Sequence, residues 1–415
     1  MSTKVIFDET SFSSFQKELH VPPESNNAGD NPSVISDVVK ERVPTLWYGN
    51  DYVELVPRDV ETTKDITSCS YIIKDTKKYL CKSTIIINLP QFKIDQTKYP
   101  DLYIEWKKDL EYLIFQQAIM EMNGTFLGRH DVNTIKVFSN WLDHKYNEVD
   151  DFYNRKLHTG DCFQDCDMLL KQPWFFTDDS PHSLCIDKND QVTFKYQWNL
   201  DIKSLVTCTR NFVNVPYDPD YTINKPKIPC PNLIVELLNP HTMNDCHVIP
   251  KEIIHDDFIT LHGKTNGSTD DIIKVKLSST EPVKSIFYII EEVDNSYPLE
   301  KFKLSYDNSL NKRISPIKTV SWELQKEKYR FKDIPTSYFE NISTDHYPGH
   351  PRYVGMGAIN LCYDPTSIDI QPGVVLIGDN AGKLIFKLRD NMTNDYEFKI
   401  TVVLMITRKD VIKRS

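Results

Sequence analysis

The sequence predicts an all-β chain built as two consecutive antiparallel sandwiches, with a short helix in the first. Three observations predict it. Runs of β-branched and aromatic residues of strand length recur along the chain; after about residue 255 seven or eight follow one another, with turn residues between them and almost no helical spacing. The 415 residues include 13 Gly against 24 Pro, a balance that suits strands joined by stiff loops better than a glycine-rich nucleotide-binding α/β fold. Aromatics are plentiful, with 21 Tyr and 20 Phe, as β-rich cores and large interfaces prefer.

The elements follow in order. Residues 1–45 are polar and irregular around "PPESNNAGDNPS" and bury too little apolar surface to order themselves; they read as an arm, with a short helix near Val34–Glu41. "DITSCSYIIKD" and "CKSTIIINLP" are two β-branched runs joined by "TKKY" and read as a hairpin. Asn123-Gly124, flanked by apolar residues, predicts a type I′ turn, because both central positions need positive φ. From Asp131, a suitable N-cap, the spacing of Ile135, Phe138, Trp141 and Leu142 predicts a helix with one apolar face. Val192, Phe194, Tyr196 and Trp198 alternate with polar residues, the period of a half-buried strand. "YDPDYTINKPKIPCP" is a stiff bridge to "NLIVELLN". The second half reads as "FITLHGK", "DIIKVKLS", "VKSIFYIIEE", "KTVSWELQ", "RYVGMGAINLCY", "GKLIFKLR" and "YEFKITVVLMITR". Two β-rich units of similar size imply a duplication of architecture without a residue-level repeat.

A net charge of −10 and no long basic run argue against nucleic-acid binding; the basic "RKDVIKRS" reads as a solvated tail. Nine widely spaced cysteines, with Cys69, Cys81, Cys208 and Cys362 in or beside apolar strands, read as free thiols of a reducing compartment. Neither a signal-peptide pattern nor an apolar run of about 18 residues is seen, so secretion and a membrane span are not expected. The sequons at Asn123, Asn266, Asn341 and Asn391 are then chance matches.

The search for chemistry returns no catalytic, cofactor-binding or metal site. His158, Cys162 and Cys166 make half of a zinc set at best, with Cys246-His247 the nearest second pair. No G-x-S-x-G elbow, metal-type His-Glu motif or phosphate-cradling glycine loop is present; "GMGAIN" (Gly355–Asn360) lies in a strand-like run. His255-Asp256-Asp257 reads as a solvated turn. Glu291 and Glu292, adjacent on a strand, point to opposite faces and cannot flank one scissile bond. The Phe194/Tyr196/Trp198 stripe is read as a core face before a sugar- or base-stacking platform.

The order of segments resembles the double jelly-roll major capsid proteins of large eukaryotic DNA viruses. "EMNGTFLGRHDVNTIKVFSNWLD" matches a strand, turn and helix of that family at Asn123, Gly124, His130, Trp141 and Leu142. "QPWFFTDDSPHSLCI" and "QVTFKYQWNLDI" take the places of its proline-aromatic and alternating strands. In "GAINLCYDPTSIDIQPGVVLIGDNAGKLIFKL", Gln371-Pro372-Gly373 stands where Pro-Ser-Gly is usual, and Asp379-Asn380 matches a later pair. The loop between would be a crossover joining late strands, stiffened by Pro365 and Pro372 and reversed at Gly373. The resemblance spans about residues 45–410. The altered Pro-Ser-Gly and the short chain leave open a major capsomer protein, a minor capsid protein or a scaffold of the same fold.

The resemblance implies two eight-stranded jelly rolls, residues 46–250 and 251–415, behind the arm 1–45. It implies no enzyme activity and no cofactor, and a homotrimer forming a pseudo-hexagonal capsomer in an icosahedral shell. Partners would be neighbouring capsomers, minor capsid proteins and an inner membrane layer touched by the arm, with no direct nucleic acid. The place would be the virion, assembled in host cytoplasm. Two rivals stand beside it. A carbohydrate-binding β-sandwich predicts a monomer with an exposed aromatic platform; a hydrolase on a β scaffold predicts titratable residues converging in a cleft.

Overall fold

Alternation of apolar and polar side chains sets the strands. In Gln191–Asn199, Val192, Phe194, Tyr196 and Trp198 are buried while Gln191, Lys195 and Gln197 face water. The computed structural model describes residues 47–74, 76–107, 110–142, 166–176, 184–240, 252–264, 271–292, 306–307, 312–313, 315–324, 328–342, 347, 349, 355–365, 373–378, 381–389 and 398–412.

The first half holds β1 (Trp47–Leu55), β2 (Arg58–Thr63), β3 (Ile66–Lys74), β4 (Lys78–Leu89), β5 (Leu102–Trp106), β6 (Phe115–Met122), β7 (Thr125–Asp131), β8 (Cys166–Lys171), β9 (Leu184–Ile186), β10 (Gln191–Asn199), β11 (Val206–Arg210), β12 (Val213–Val215) and β13 (Asn232–Pro240). The second holds β14 (Glu252–Lys264), β15 (Ile272–Leu277), β16 (Ser279–Glu292), β17 (Tyr306–Asp307), β18 (Lys312–Arg313), β19 (Ile317–Leu324), β20 (Tyr329–Pro335), β21 (Met356–Asn360), β22 (Val374–Leu376), β23 (Gly382–Leu388) and β24 (Phe398–Val411).

One sheet of the first half runs β1-β13-β4-β8 and the facing one β2-β3-β10-β6-β7. The second half repeats the scheme as β14-β24-β16-β21 and β15-β23-β19-β20. In each half the first long strand pairs with the last, and the chain passes repeatedly from one sheet to the other. Every pairing is antiparallel, and the named strands pair only within their own half. A small sheet, β12-β11-β5, gathers the two excursions that leave the first sandwich between β4 and β6 and between β10 and β13. Each half has its own core: Tyr71, Ile85, Phe115, Phe194 and Trp198 in the first, Ile286, Tyr288, Trp322, Phe386 and Leu404 in the second.

Several expectations hold locally. Asn123 and Gly124 both have positive φ (51° and 74°) between β6 and β7. Asp131 caps the helix Val132–Val137, accepting from the Asn133 and Thr134 amides at 2.9 Å each. The helix runs on as a π-helical turn, Phe138–Leu142. "GMGAIN" supplies β21.

Others are corrected. The two runs read as a hairpin are β3 and β4, which lie in opposite sheets: β3 pairs with β2 and β10, β4 with β13, β8 and β9. Each run alternates, so each covers one side of the same core and cannot lie beside the other. "QPWFF" is not a strand. It is an irregular stretch that buries Trp174 and Phe176, and the strand after it is β9. The loop after Asn360 is no crossover. β21 and β22 both pair with β16, at Ser285–Ile289 and Ser279–Val283, so the loop leaves one sheet edge and rejoins it. Gly373 is needed there for close approach, since a Cβ would strike the carbonyl of Val283 in β16. Residues 1–46 with the Val34–Glu41 helix, the helix beyond Leu142, and Pro372, Gln371 and Asp379-Asn380 lie outside the described residues, as do the sequons at Asn266 and Asn391.

Candidate functional site

The chemistry-bearing residues gather at the joint between the two sandwiches. The helix that Asp131 caps is buried from Asn133 to Val137 because it lies between them. Ile135 enters the first core. Val137 and Trp141 pack on the outer face of the sheet β14-β24-β16-β21, against Phe287, Ile289, Met356, Ala358, Val403 and Met405. The Trp141 and Phe287 rings are 5.1 Å apart. That sheet is therefore covered on both faces, and β16 and β24 are buried almost without alternation.

Polar pairs fix the helix in its seat. Lys136 Nζ meets Glu291 Oε1 at 2.5 Å, with side chains only 7% and 13% exposed. The Tyr112 and Ser139 hydroxyls are 2.5 Å apart. The Gly349 amide donates to the Trp141 carbonyl at 3.0 Å, and a Cβ at Gly349 would strike the Asn140 carbonyl. Tyr347 donates to Ser285 Oγ at 2.8 Å.

A second cluster lies where β7 and the Trp174–Phe176 stretch meet β14 and β24. His255 and Asp257 point to one face of β14, and Arg408 and Asp410 stand beside them on β24. His255 Nε2 bonds Asp410 Oδ2 at 2.8 Å. Arg408 reaches Asp410 through Nε (2.9 Å) and Asp257 through Nη1 (3.1 Å), and its guanidinium lies 4.8 Å from the centre of the Phe126 ring. The His255 ring rests on Phe175 at 4.6 Å, and that of His130 on Trp174 at 4.1 Å. His130 is buried with both ring nitrogens unbonded, and burial pulls its pKa down to about 3. Burial pushes the Asp257 carboxyl up, against the Phe258 amide, His255 and Arg408, which favour its ionised form.

This corrects the reading of His255-Asp256-Asp257 as a solvated turn. The triplet is inside β14, with His255 and Asp257 buried at the joint and Asp256 paired to Lys284 at 2.9 Å. Glu291 points to Lys136, as its position on a strand allows. The aromatic stripe is core: Tyr196 and Trp198 stack at 5.1 Å out of reach of any sugar. Cys166 begins β8, while His158, Cys162, Cys246 and His247 lie outside the described residues. Among the described residues no three His, Cys, Asp or Glu side chains group to hold a metal, and no helix is long and apolar enough to cross a membrane. Sequence reasoning missed the joint, although the unbroken apolar runs "SIFYII" and "ITVVLMI" signal a sheet covered on both faces.

The outer edges differ in kind. β2 is exposed throughout, carries Arg58, Asp59 and Glu61, and is bulged at Asp59 (φ 51°). β20 carries Arg330, Lys332 and Asp333 and has its own irregularities. Charge and bulges of this kind block strand addition. The β1 and β21/β22 edges instead show large apolar side chains: Tyr52 and Val56 on one, Tyr363 and Ile377 beside the other. At the tip of the β11–β12 hairpin Phe212 is fully exposed with φ 64°.

No protein-family model matches the sequence, and no curated protein matches it either. The solved structures tell more. A chain of the PBCV-1 virus capsid superposes with a TM-score of 0.62 at 11% identity, over 90% of this chain and 98% of that one. The Faustovirus major capsid protein gives 0.60 at 8%, over 92% and 94%. The mavirus major capsid protein gives 0.51 at 8%, over 95% and 98%. This chain is a double jelly roll. The likeness covers both halves at once, so the double jelly roll extends to the way the two sandwiches are joined, and the buried helix and the His255–Asp410 cluster are the parts that join them here.

Proposed function

We propose that the chain is a structural capsid protein, without enzyme activity, whose homotrimers form pseudo-hexagonal capsomers in the shell of a large DNA virus. The observation that carries the reading is the full-length double jelly roll shared with viral capsid proteins. Two firmly joined sandwiches per chain supply six in a trimer, which approximates a hexagon. The edges support it. β2 and β20 are guarded, whereas the β1 and β21/β22 edges expose Tyr52, Val56, Tyr363 and Ile377, a pattern that suits lateral packing of side walls in a closed ring. The buried aromatic stripe takes away the platform that a sugar-binding rival requires.

In this reading the domains are the arm 1–45 and the jelly rolls 46–250 and 251–415. Strand pairing confined to each half supports the second boundary. Neighbouring capsomers and minor capsid proteins are the partners, the arm meets them or an inner membrane layer, and assembly takes place in host cytoplasm. The test is light scattering on purified protein. A mass near three chains of 48.4 kDa is expected; a stable monomer across the concentration range overturns the reading.

A further inference from the structure

Cys69 lies on the inward face of β3 and is 5% exposed. Its Sγ accepts from Trp198 Nε1 at 3.4 Å and is 3.4 Å from the Tyr71 hydroxyl. That hydroxyl donates to the carbonyl of Pro231 at 2.5 Å. The residue before Pro231 is Cys230, half-buried, so the Tyr71 hydroxyl bridges the Cys69 sulfur and the backbone beside Cys230, and the two thiols and that hydroxyl form one cluster. β3 belongs to one sheet of the first jelly roll, and Cys230 leads into β13 of the other. Both thiols are free. The arrangement, two cysteines on opposite sheets with a tryptophan packed on one of them, is the one that inter-sheet disulfides occupy in other β-sandwiches.

We propose that Cys69 and Cys230 form a redox-responsive dithiol, which closes into an inter-sheet disulfide when the protein passes from reducing to oxidising surroundings. The neighbouring Cys230 thiol brings the Cys69 pKa down while Cys69 pushes that of Cys230 up, so the first proton to leave the pair comes from Cys69. The half-buried Cys230 gives a low-molecular-weight disulfide, R–S–S–R, its entry. The Cys230 proton passes to Cys69, and the Cys230 thiolate so formed attacks one sulfur there, forming a mixed disulfide on Cys230 and releasing RS⁻, which takes up a proton. Cys69 then gives up its proton and its sulfur displaces the second RS⁻. The two cysteines lose two electrons and two protons, and the oxidant leaves as two R–SH. Closure ties residue 69 to residue 230, so it restrains a long stretch of the unfolded chain and raises the melting temperature.

The experiment incubates the full, reduced chain with oxidised glutathione. Nine thiols titratable after denaturation should fall to seven. The intact mass should drop by two hydrogens, peptide mapping should return a Cys69–Cys230 link, and Tm should rise by several degrees. Cys69→Ser should abolish the link and the Tm rise and leave one glutathione on Cys230. Cys230→Ser, at the more exposed position, makes the same test should Cys69→Ser fold poorly; it should lose both the link and the Tm rise. Cys81→Ser should close as the wild type does. A wild-type chain that only accumulates glutathione, links other cysteines, or closes without a rise in Tm overturns the proposal. None of these results depends on whether the chain forms trimers.

Discussion

At the scale of single residues the joint is sensitive to acid. His130 has no hydrogen-bond partner for either ring nitrogen, and Trp174 and Phe258 enclose it. Burial is the chief cause of its depressed pKa; His255 adds to it and the Asp131 carboxylate opposes it. Its pKa falls from 6.5 to about 3 on folding, so between those values the unfolded chain binds a proton that the folded chain refuses. Stability from this group is complete above the upper value and is lost as pH falls through the window. At about pH 4 the loss is about 3 kcal/mol. His130→Phe keeps an aromatic ring in the site and removes the titration. Denaturant unfolding at about pH 7 and about pH 4 should show a smaller loss in the variant by about that amount; an unchanged loss would place the acid sensitivity elsewhere. Sequence reading set His130 only within a turn-and-helix resemblance. Its burial follows from Trp174, which reaches it from a stretch more than 40 residues later in the chain, and no local pattern carries that information.

At the scale of elements, the strands were legible wherever one face is wet. Alternation placed β10 and its four core aromatics, and Asn123-Gly124 and Asp131 placed a turn and a cap, because these signals are local. Partnership between strands was not legible: β3 and β4 look like a hairpin until their shared core is known. The double-sided burial of β16 and β24 was present as unbroken apolar runs, but its cause is the helix from the other half. The Lys136–Glu291 pair ties that helix to β16. Both side chains are nearly buried, so removing one partner strands a charge. Glu291→Leu should destabilise the protein by about 3–5 kcal/mol, and adding Lys136→Met should restore most of the loss, because desolvating the pair offsets much of its attraction. Denaturant unfolding of the single and double variants closes the cycle. Equal destabilisation in all three would mean that the helix is held by Trp141 packing alone.

At the scale of the whole molecule, the two sandwiches present unlike edges to their surroundings. Charges and bulges along β2 and β20 block strand-on-strand growth at those two edges, and the proposed capsomer associates through side walls and loops instead. In the proposed trimer an obligate interface would bury more than about 2,000 Å², and the reading assigns that burial to the two sandwiches rather than to the N-terminal segment. The arm's composition is polar and irregular, and the proposed function gives it contacts outside the capsomer. Deleting residues 1–45 should therefore leave the trimer mass in light scattering unchanged while shells or hexagonal arrays, viewed by electron microscopy, fail to form or form with defects. Normal arrays from the truncated chain would remove the arm from assembly. Loss of the trimer itself would move the arm into the capsomer and require the side walls to be too weak to hold three copies together.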